Sequence, residues 1–187
     1  MSSVALFAFV LAAVGAMRLG ELAVSAARIR RRPEALVGEP GLFPAMALLH
    51  AAVVTLPLVE VIVLDRPFVP ALAIAAGAVL LAATALRIWT LATIGRAWNV
   101  RIVRPAPGSI ATGGPYRFIR HPNYLCVVLE LAALPLLHAA WISALVLSAW
   151  NALVLSRRIR TEEEALSRIP EWRAAFARRP RLFPGLF

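Results

Sequence analysis

Residues 113–124 read Gly113-Gly114-Pro115-Tyr116-Arg117-Phe118-Ile119-Arg120-His121-Pro122-Asn123-Tyr124, a polar, basic stretch standing between two strongly apolar regions. Gly113, Gly114 and Pro115 mark a turn. Pro122 suits the first turn of a helix, where its missing N–H needs no intrahelical partner. His121 and Asn123 then fall where the free N–H groups and positive dipole end of that helix meet a membrane boundary. A helix mouth carrying Arg, His and Tyr is a place to hold a charged cofactor beside an apolar acceptor.

The apolar regions decide the class. Of 187 residues 60% are hydrophobic, and the mean hydropathy is +0.76; a soluble domain carries roughly 45–50% apolar residues. Several runs reach the ~20 residues that cross a bilayer core. Spans are expected at Val4–Ala27, Leu42–Leu64, Phe68–Thr93, Pro122–Leu137 and Ala140–Ser156, the fourth slightly short. The first run has no Lys or Arg before Arg18 and no small-residue cleavage site, so it reads as a retained span. The expected fold is all-α: a polytopic transmembrane bundle of about five spans, ending in a cytosolic tail of short helices. One domain is expected over 1–187.

The net charge is +10, and every basic residue is Arg. These charges sit between the apolar runs, which speaks for anionic lipid headgroups and topology rather than nucleic acid. Arg28, Arg30, Arg31 and Arg32 follow the first span. Arg96, Arg101, Arg104, Arg117 and Arg120 fill the 95–121 connection, and more Arg residues fill the tail from Arg157. By the positive-inside rule all three segments face the cytoplasm. Cys126 is the single cysteine, so no intrachain disulfide or cysteine metal cluster forms. No His pair has metal spacing, and no metal is expected.

Ionisable residues inside spans are functional candidates by default. Here they are Glu21, His50, Glu60, Arg87 and Glu130. Arg18 with Glu21, and Glu60 near its span's outer end, read as structural pairs. Arg87 and Glu130 divide evenly between function and pairing. In the tail, Thr161-Glu162-Glu163-Glu164 has a capping-box pattern, with Thr161 as cap and Glu164 reaching back. That leaves Glu162 or Glu163 to face a ligand, since successive helical residues point ~100° apart. Val100–Val103 alternates as extended chain does.

Gly114-Pro115-Tyr116-Arg117 with Arg120-His121-Pro122-Asn123-Tyr124 resembles the isoprenylcysteine carboxyl methyltransferase family. The tail residues Arg158-Ile159, Glu162-Glu163, Leu166 and Arg181-Leu182-Phe183-Pro184 strengthen the likeness, as do Arg87-Ile88-Trp89 and Gly95-Arg96-Ala97-Trp98. The Arg-His-Pro-x-Tyr element alone also resembles phospholipid N-methyltransferases and membrane sterol reductases that use a nicotinamide cofactor. Arg87-x-Trp89, Trp98, Asn123, Glu130 with Pro135, and Asn151 resemble the bacterial branch that O-methylates alkylpyrones or alkylresorcinols. Trp172 and Phe176 stand where eukaryotic prenylcysteine enzymes have a Tyr pair.

The resemblance implies an S-adenosylmethionine-dependent methyltransferase of the bacterial inner membrane, its catalytic core in 80–187 with 1–66 as accessory spans, its site facing the cytoplasm and its acceptor entering from the bilayer. It implies that His121, Pro122 and Tyr124 line the cofactor pocket, closed by Glu162 or Glu163. Arg181 and Arg158 would hold the cofactor's carboxylate. Arg87 or Arg120 would stabilise an acceptor oxyanion, with His121 as the base where one is needed.

Overall fold

The computed structural model describes residues 2–37, 41–105 and 108–183. Gly38 and Pro40 of the first loop, Pro107, and Pro184 of the tail motif lie outside the described residues. The architecture is all-helical, as expected. Among the described residues six α-helices follow in order: α1 (Ser3–Arg31), α2 (Leu42–Val63), α3 (Pro70–Ile94), α4 (Pro122–Leu136), α5 (Trp141–Leu166) and α6 (Pro170–Phe176).

Four helices, α1, α2, α3 and α5, are long and apolar enough to cross a membrane; α4 is a shorter apolar helix. At 15 residues, α4 rises only about 22 Å, less than the ~30 Å hydrocarbon core. Large apolar side chains face outward along the bundle: Phe9, Leu19, Ile74, Leu81 and Leu153 are each at least 66% exposed. Apolar surface of that extent belongs against lipid, and the protein is integral to a membrane.

Inside, Phe7 and Leu11 of α1 pack with Leu49 and Val53 of α2, Leu131 and Leu134 of α4, and Leu147 of α5. One end of the bundle is closed by polar capping. Glu60 of α2 accepts from the backbone N–H of Ile142 and Ser143 and from the Ser143 hydroxyl, and pairs with Arg66. A carboxylate from a neighbouring helix thus satisfies free N–H groups at the start of α5. At the same end His138 sits between the Phe7 and Phe68 rings and hydrogen-bonds Ser3 Oγ.

The other end gathers the three basic segments. Leu36 and Val103 form an isolated antiparallel bridge, with Val37 N–H donating to Ile102 O and Arg104 N–H to Ala35 O. The extended stretch expected at Val100–Val103 is therefore paired with the loop after α1. The tail returns to the same end: Arg120 N–H donates to Pro180 O at 2.9 Å, and His121 N–H to Arg181 O at 3.0 Å. Tyr116, Trp172 and Phe176 form a small aromatic core beneath it.

One expectation is corrected. Thr161 does not cap a helix, because α5 runs unbroken from Trp141 to Leu166. No Gly or Pro interrupts that run, and the Thr161 hydroxyl instead donates back to Arg157 O at 3.2 Å. Glu162, Glu163 and Glu164 are consequently interior residues of a long helix that carries them off the end of its apolar portion.

Candidate functional site

The 113–124 stretch folds as a 3-10 turn over Gly114–Arg117, then a corner, then α4 with Pro122 in its first turn and His121 as N-cap. Gly114 has φ +50°, and a Cβ there would overlap Thr93 Oγ1 and lie 3.1 Å from Trp89 Nε1. Only glycine lets this turn lie against α3. The turn aims Tyr116, Arg120, His121 and Tyr124 toward the returning tail.

Glu163 is the hub of that meeting. Its Oε1 accepts from Arg120 Nη1 and from His121 Nε2, each at 3.2 Å. Its Oε2 accepts from Arg181 at 2.7 and 3.0 Å. The Glu163 hydrogen bond and charge push the Arg181 guanidinium above its ordinary value, so it stays cationic. Arg120 Nε also donates to Arg179 O at 2.6 Å, and its guanidinium lies 5.8 Å from the Trp172 ring.

A second chain runs beside the first. Tyr124 OH donates to Glu162 in a short hydrogen bond. Arg158 Nε donates to Tyr124 OH at 2.8 Å, and Arg158 also reaches Val100 O. His121 stacks on Tyr124, ring centres 5.3 Å apart. Burial, then the Glu162 charge, push the Tyr116 hydroxyl well above the usual tyrosine range, so it remains a phenol.

Two clefts open on these groups. The first, about 880 Å³ including open solvent, lies toward the tail and is lined by Tyr116, Arg120, His121, Tyr124, Arg158 and Glu162 among others. The second, about 800 Å³ including open solvent, lies among α1, α2, α3, α4 and α5, and is bordered by Arg18, Phe43, Met46, His50, Arg87 and Asn151 among others. Trp98, Asn99, Asn123, Tyr124 and Arg158 line both clefts.

A buried quartet of charges flanks the second cleft. Arg87 donates to Glu130 at 2.8 and 3.0 Å, to Glu21 at 3.2 Å and to Asn123 at 3.5 Å. Arg18 donates to Glu21 at 2.7 Å and to Glu130 in a short contact. The two cations and two carboxylates balance, and each carboxylate touches both arginines. This satisfies ions removed from water.

The structure thus brings Arg120, His121, Tyr124, Arg158 and Glu162 to one cleft and places Arg87 on the other. Pro122 sits buried in α4's first turn, and Glu163 and Arg181 anchor the tail rather than line either cleft. His50 was only one of several intraspan ionisable groups, Asn151 entered only through the resemblance, and Asn99 carried no reading at all. The α2 signal was nevertheless present: Phe43, Met46, Ala47 and His50 share one helical face by their i, i+3, i+4, i+7 spacing.

The family model described as Isoprenylcysteine carboxyl methyltransferase (ICMT) family matches residues 74–168, just over half of the chain. Among curated proteins, the chain is 39% identical over 89 residues to "Uncharacterized protein YpbQ" of Bacillus subtilis, covering 48% of this chain and 53% of that protein. It is 37% identical over 100 residues to "Cobalt-zinc-cadmium resistance protein CzcN" of Cupriavidus metallidurans, covering 52% of this chain and 46% of that one. It is 33% identical over 99 residues to "Nickel-cobalt-cadmium resistance protein NccN" of Alcaligenes xylosoxydans, covering 52% and 46%. The chain spans about half the length of these curated relatives.

Proposed function

Because the chain belongs to the isoprenylcysteine carboxyl methyltransferase family, we propose that it methylates the oxygen of a lipophilic acceptor, using S-adenosylmethionine. The observation that carries this reading is the pair of clefts with a common wall at Trp98, Asn123, Tyr124 and Arg158. One cleft is bordered by the basic, tail-closed end of the bundle; the other lies among the helices. A polar cofactor and an apolar acceptor can therefore approach one another from different phases.

The residues of the first cleft fit the cofactor. Trp98 is buried and its indole N–H has no hydrogen-bond partner among the described residues, so a ligand acceptor atom at the common wall would satisfy a donor that is otherwise costly. Glu162 offers a carboxylate for ribose hydroxyls or an ammonium group. Arg120 and Arg158 supply cationic edges for a carboxylate. When bound, S-adenosylmethionine supplies an electrophilic methyl group on a sulfonium. The protein's part is to align donor and acceptor, which is worth several kcal/mol in such reactions.

His121 and Tyr124 form the wall of the cofactor cleft, with Glu162 as its carboxylate, and Pro122, buried in the first turn of α4, sets where they stand. Glu163 and Arg181 hold the tail shut over it. Arg120 faces the cleft as the cation closest in character to an oxyanion partner. Arg87 acts in the acceptor cleft by fixing Asn123 and the local field, its own donors being engaged by Glu130 and Glu21. The proposed 80–187 core carries the cofactor cleft, while α1 and α2 contribute Arg18 and His50 to the acceptor cleft.

We place the protein in a bacterial inner membrane with the basic end toward the cytoplasm, on the positive-inside rule. The acceptor is of the alkylpyrone or alkylresorcinol hydroxyl type, or an isoprenylcysteine-type carboxylate. The metals in two relatives' names are not carried over, since no three His, Cys, Asp or Glu side chains gather among the described residues. Incubating the purified protein with methyl-labelled S-adenosylmethionine and a membrane lipid extract tests the reading. A labelled lipophilic methyl ether or ester is expected; consumption of NADPH with no label transfer would favour a membrane reductase instead.

A further inference from the structure

Among the described residues, the second cleft contains one ionisable group, His50, that neither the ion quartet nor the cofactor wall engages. His50 stands on the α2 face that lines the cleft, eight residues into the helix from Leu42, about 12 Å along its axis. Its Nδ1 lies 2.8 Å from Met46 O. A carbonyl oxygen only accepts, so Nδ1 carries the hydrogen and a neutral ring has its lone pair on Nε2. With Nδ1 turned back onto its own helix, Nε2 is the nitrogen directed away from it. That atom makes no hydrogen bond among the described residues, yet it is not among the sealed, unpartnered ones. His50 lines the cleft, and Nε2 is the acceptor atom it can offer there.

The charges facing it are closed among themselves. Arg18 and Glu21 come from α1, Arg87 from α3, Glu130 and the Tyr124 hydroxyl from α4, and Arg158 from α5. Both arginines of the quartet are held by both of its carboxylates, and Arg158 is held by Tyr124 and Val100. An acceptor arriving as a carboxylate would find these cations already engaged. An acceptor arriving with an O–H group would find a nitrogen acceptor, fixed by its Met46 hydrogen bond, beside charges already committed to one another.

We infer that His50 takes the proton of a neutral, lipophilic O–H acid, a phenol or enol carrying an alkyl chain, inside the membrane-side cleft. This rests on the methyltransferase reading and narrows it. The O–H bond breaks with its electron pair left on oxygen, an N–H bond forms at Nε2, and an imidazolium–oxyanion pair results. Charge is conserved and no further reactant is needed. The oxyanion is then the nucleophile, a far stronger one than the neutral phenol.

The test uses a dodecyl-substituted nitrophenol, whose ionised form is coloured, bound to the purified protein in micelles without any methyl donor. Bound to the wild type, the probe should ionise at a pH at least one unit lower than when bound to His50→Gln, a tenfold difference in ionised fraction at intermediate pH. Identical ionisation curves, or failure of the wild type to bind the probe, overturns the inference. Should His50→Gln not fold, nitrogen NMR of histidine-labelled wild type serves. Probe binding should move the His50 Nε2 signal to the protonated position, and an unmoved signal overturns the inference. A wild type that ionises the probe through His50 yet binds no S-adenosylmethionine upholds the proton transfer and overturns the methyltransferase reading instead.

Discussion

His121 Nε2 donates to Glu163 Oε1 at 3.2 Å, joining the N-cap of α4 to the far end of α5. The same carboxylate holds Arg120 and Arg181, so one side chain ties the mouth of a helix to the tail that folds over it. In this arrangement His121 presents its Nε2–H to the carboxylate.

Glu163→Gln should therefore loosen the tail as well as weaken cofactor binding. Limited proteolysis is expected to cut within 167–183 at least tenfold faster, and S-adenosylmethionine affinity to fall in calorimetry. Glu162→Gln should lower affinity while leaving the tail protected. Equal proteolysis in wild type and Glu163→Gln would show that the hub does not hold the tail.

Arg87→Ala leaves Glu130 and Glu21 in the bundle interior with Arg18 as sole counter-ion. Breaking a buried ion network from one side costs about 3–5 kcal/mol, so unfolding in detergent should occur at markedly lower temperature as well as turnover falling. The pair Arg87→Met with Glu130→Leu should recover part of that stability without recovering activity. An unchanged melting temperature in Arg87→Ala would mean the quartet contributes nothing.

At the opposite end Glu60→Gln removes a carboxylate that caps α5 and pairs with Arg66. The cost should be about 1 kcal/mol, as for other lost helix caps. Methyl transfer per folded molecule should be unaffected, because neither cleft is lined by Glu60. A selective loss of turnover with normal stability would place this end in the site.

Gly114→Ala combines a positive φ with overlap against Thr93. A loss of about 1–3 kcal/mol is expected, together with displacement of Tyr116 and hence of the Trp172–Phe176 packing, read as a change in tryptophan fluorescence. Wild-type stability in this variant would mean the turn does not require glycine.

The helical class and the α4 entrance were legible because hydropathy runs and the Gly-Gly-Pro and His-Pro signals act locally. The gathering of the tail against Arg120 followed from charge: arginine-rich segments sort to one side of a bilayer. What stayed hidden depended on contacts between distant residues. Arg18 reaching Glu130 across 112 positions, or Trp98 forming a wall common to two clefts, leaves no periodic trace. The Thr161 pattern misled for a related reason. A capping box is a local preference, and it is overridden when the Arg158–Tyr124 hydrogen bond and the Glu163 ion pairs with Arg120 and Arg181 hold that part of the helix.

The most direct measurement is a side-by-side titration of S-adenosylmethionine and NADPH into the detergent-purified protein, wild type and Glu162→Gln. Saturable binding of S-adenosylmethionine to the wild type, weakened at least tenfold by Glu162→Gln, with no heat from NADPH, is the predicted result. Binding of NADPH, or S-adenosylmethionine affinity indifferent to Glu162, would contradict the account.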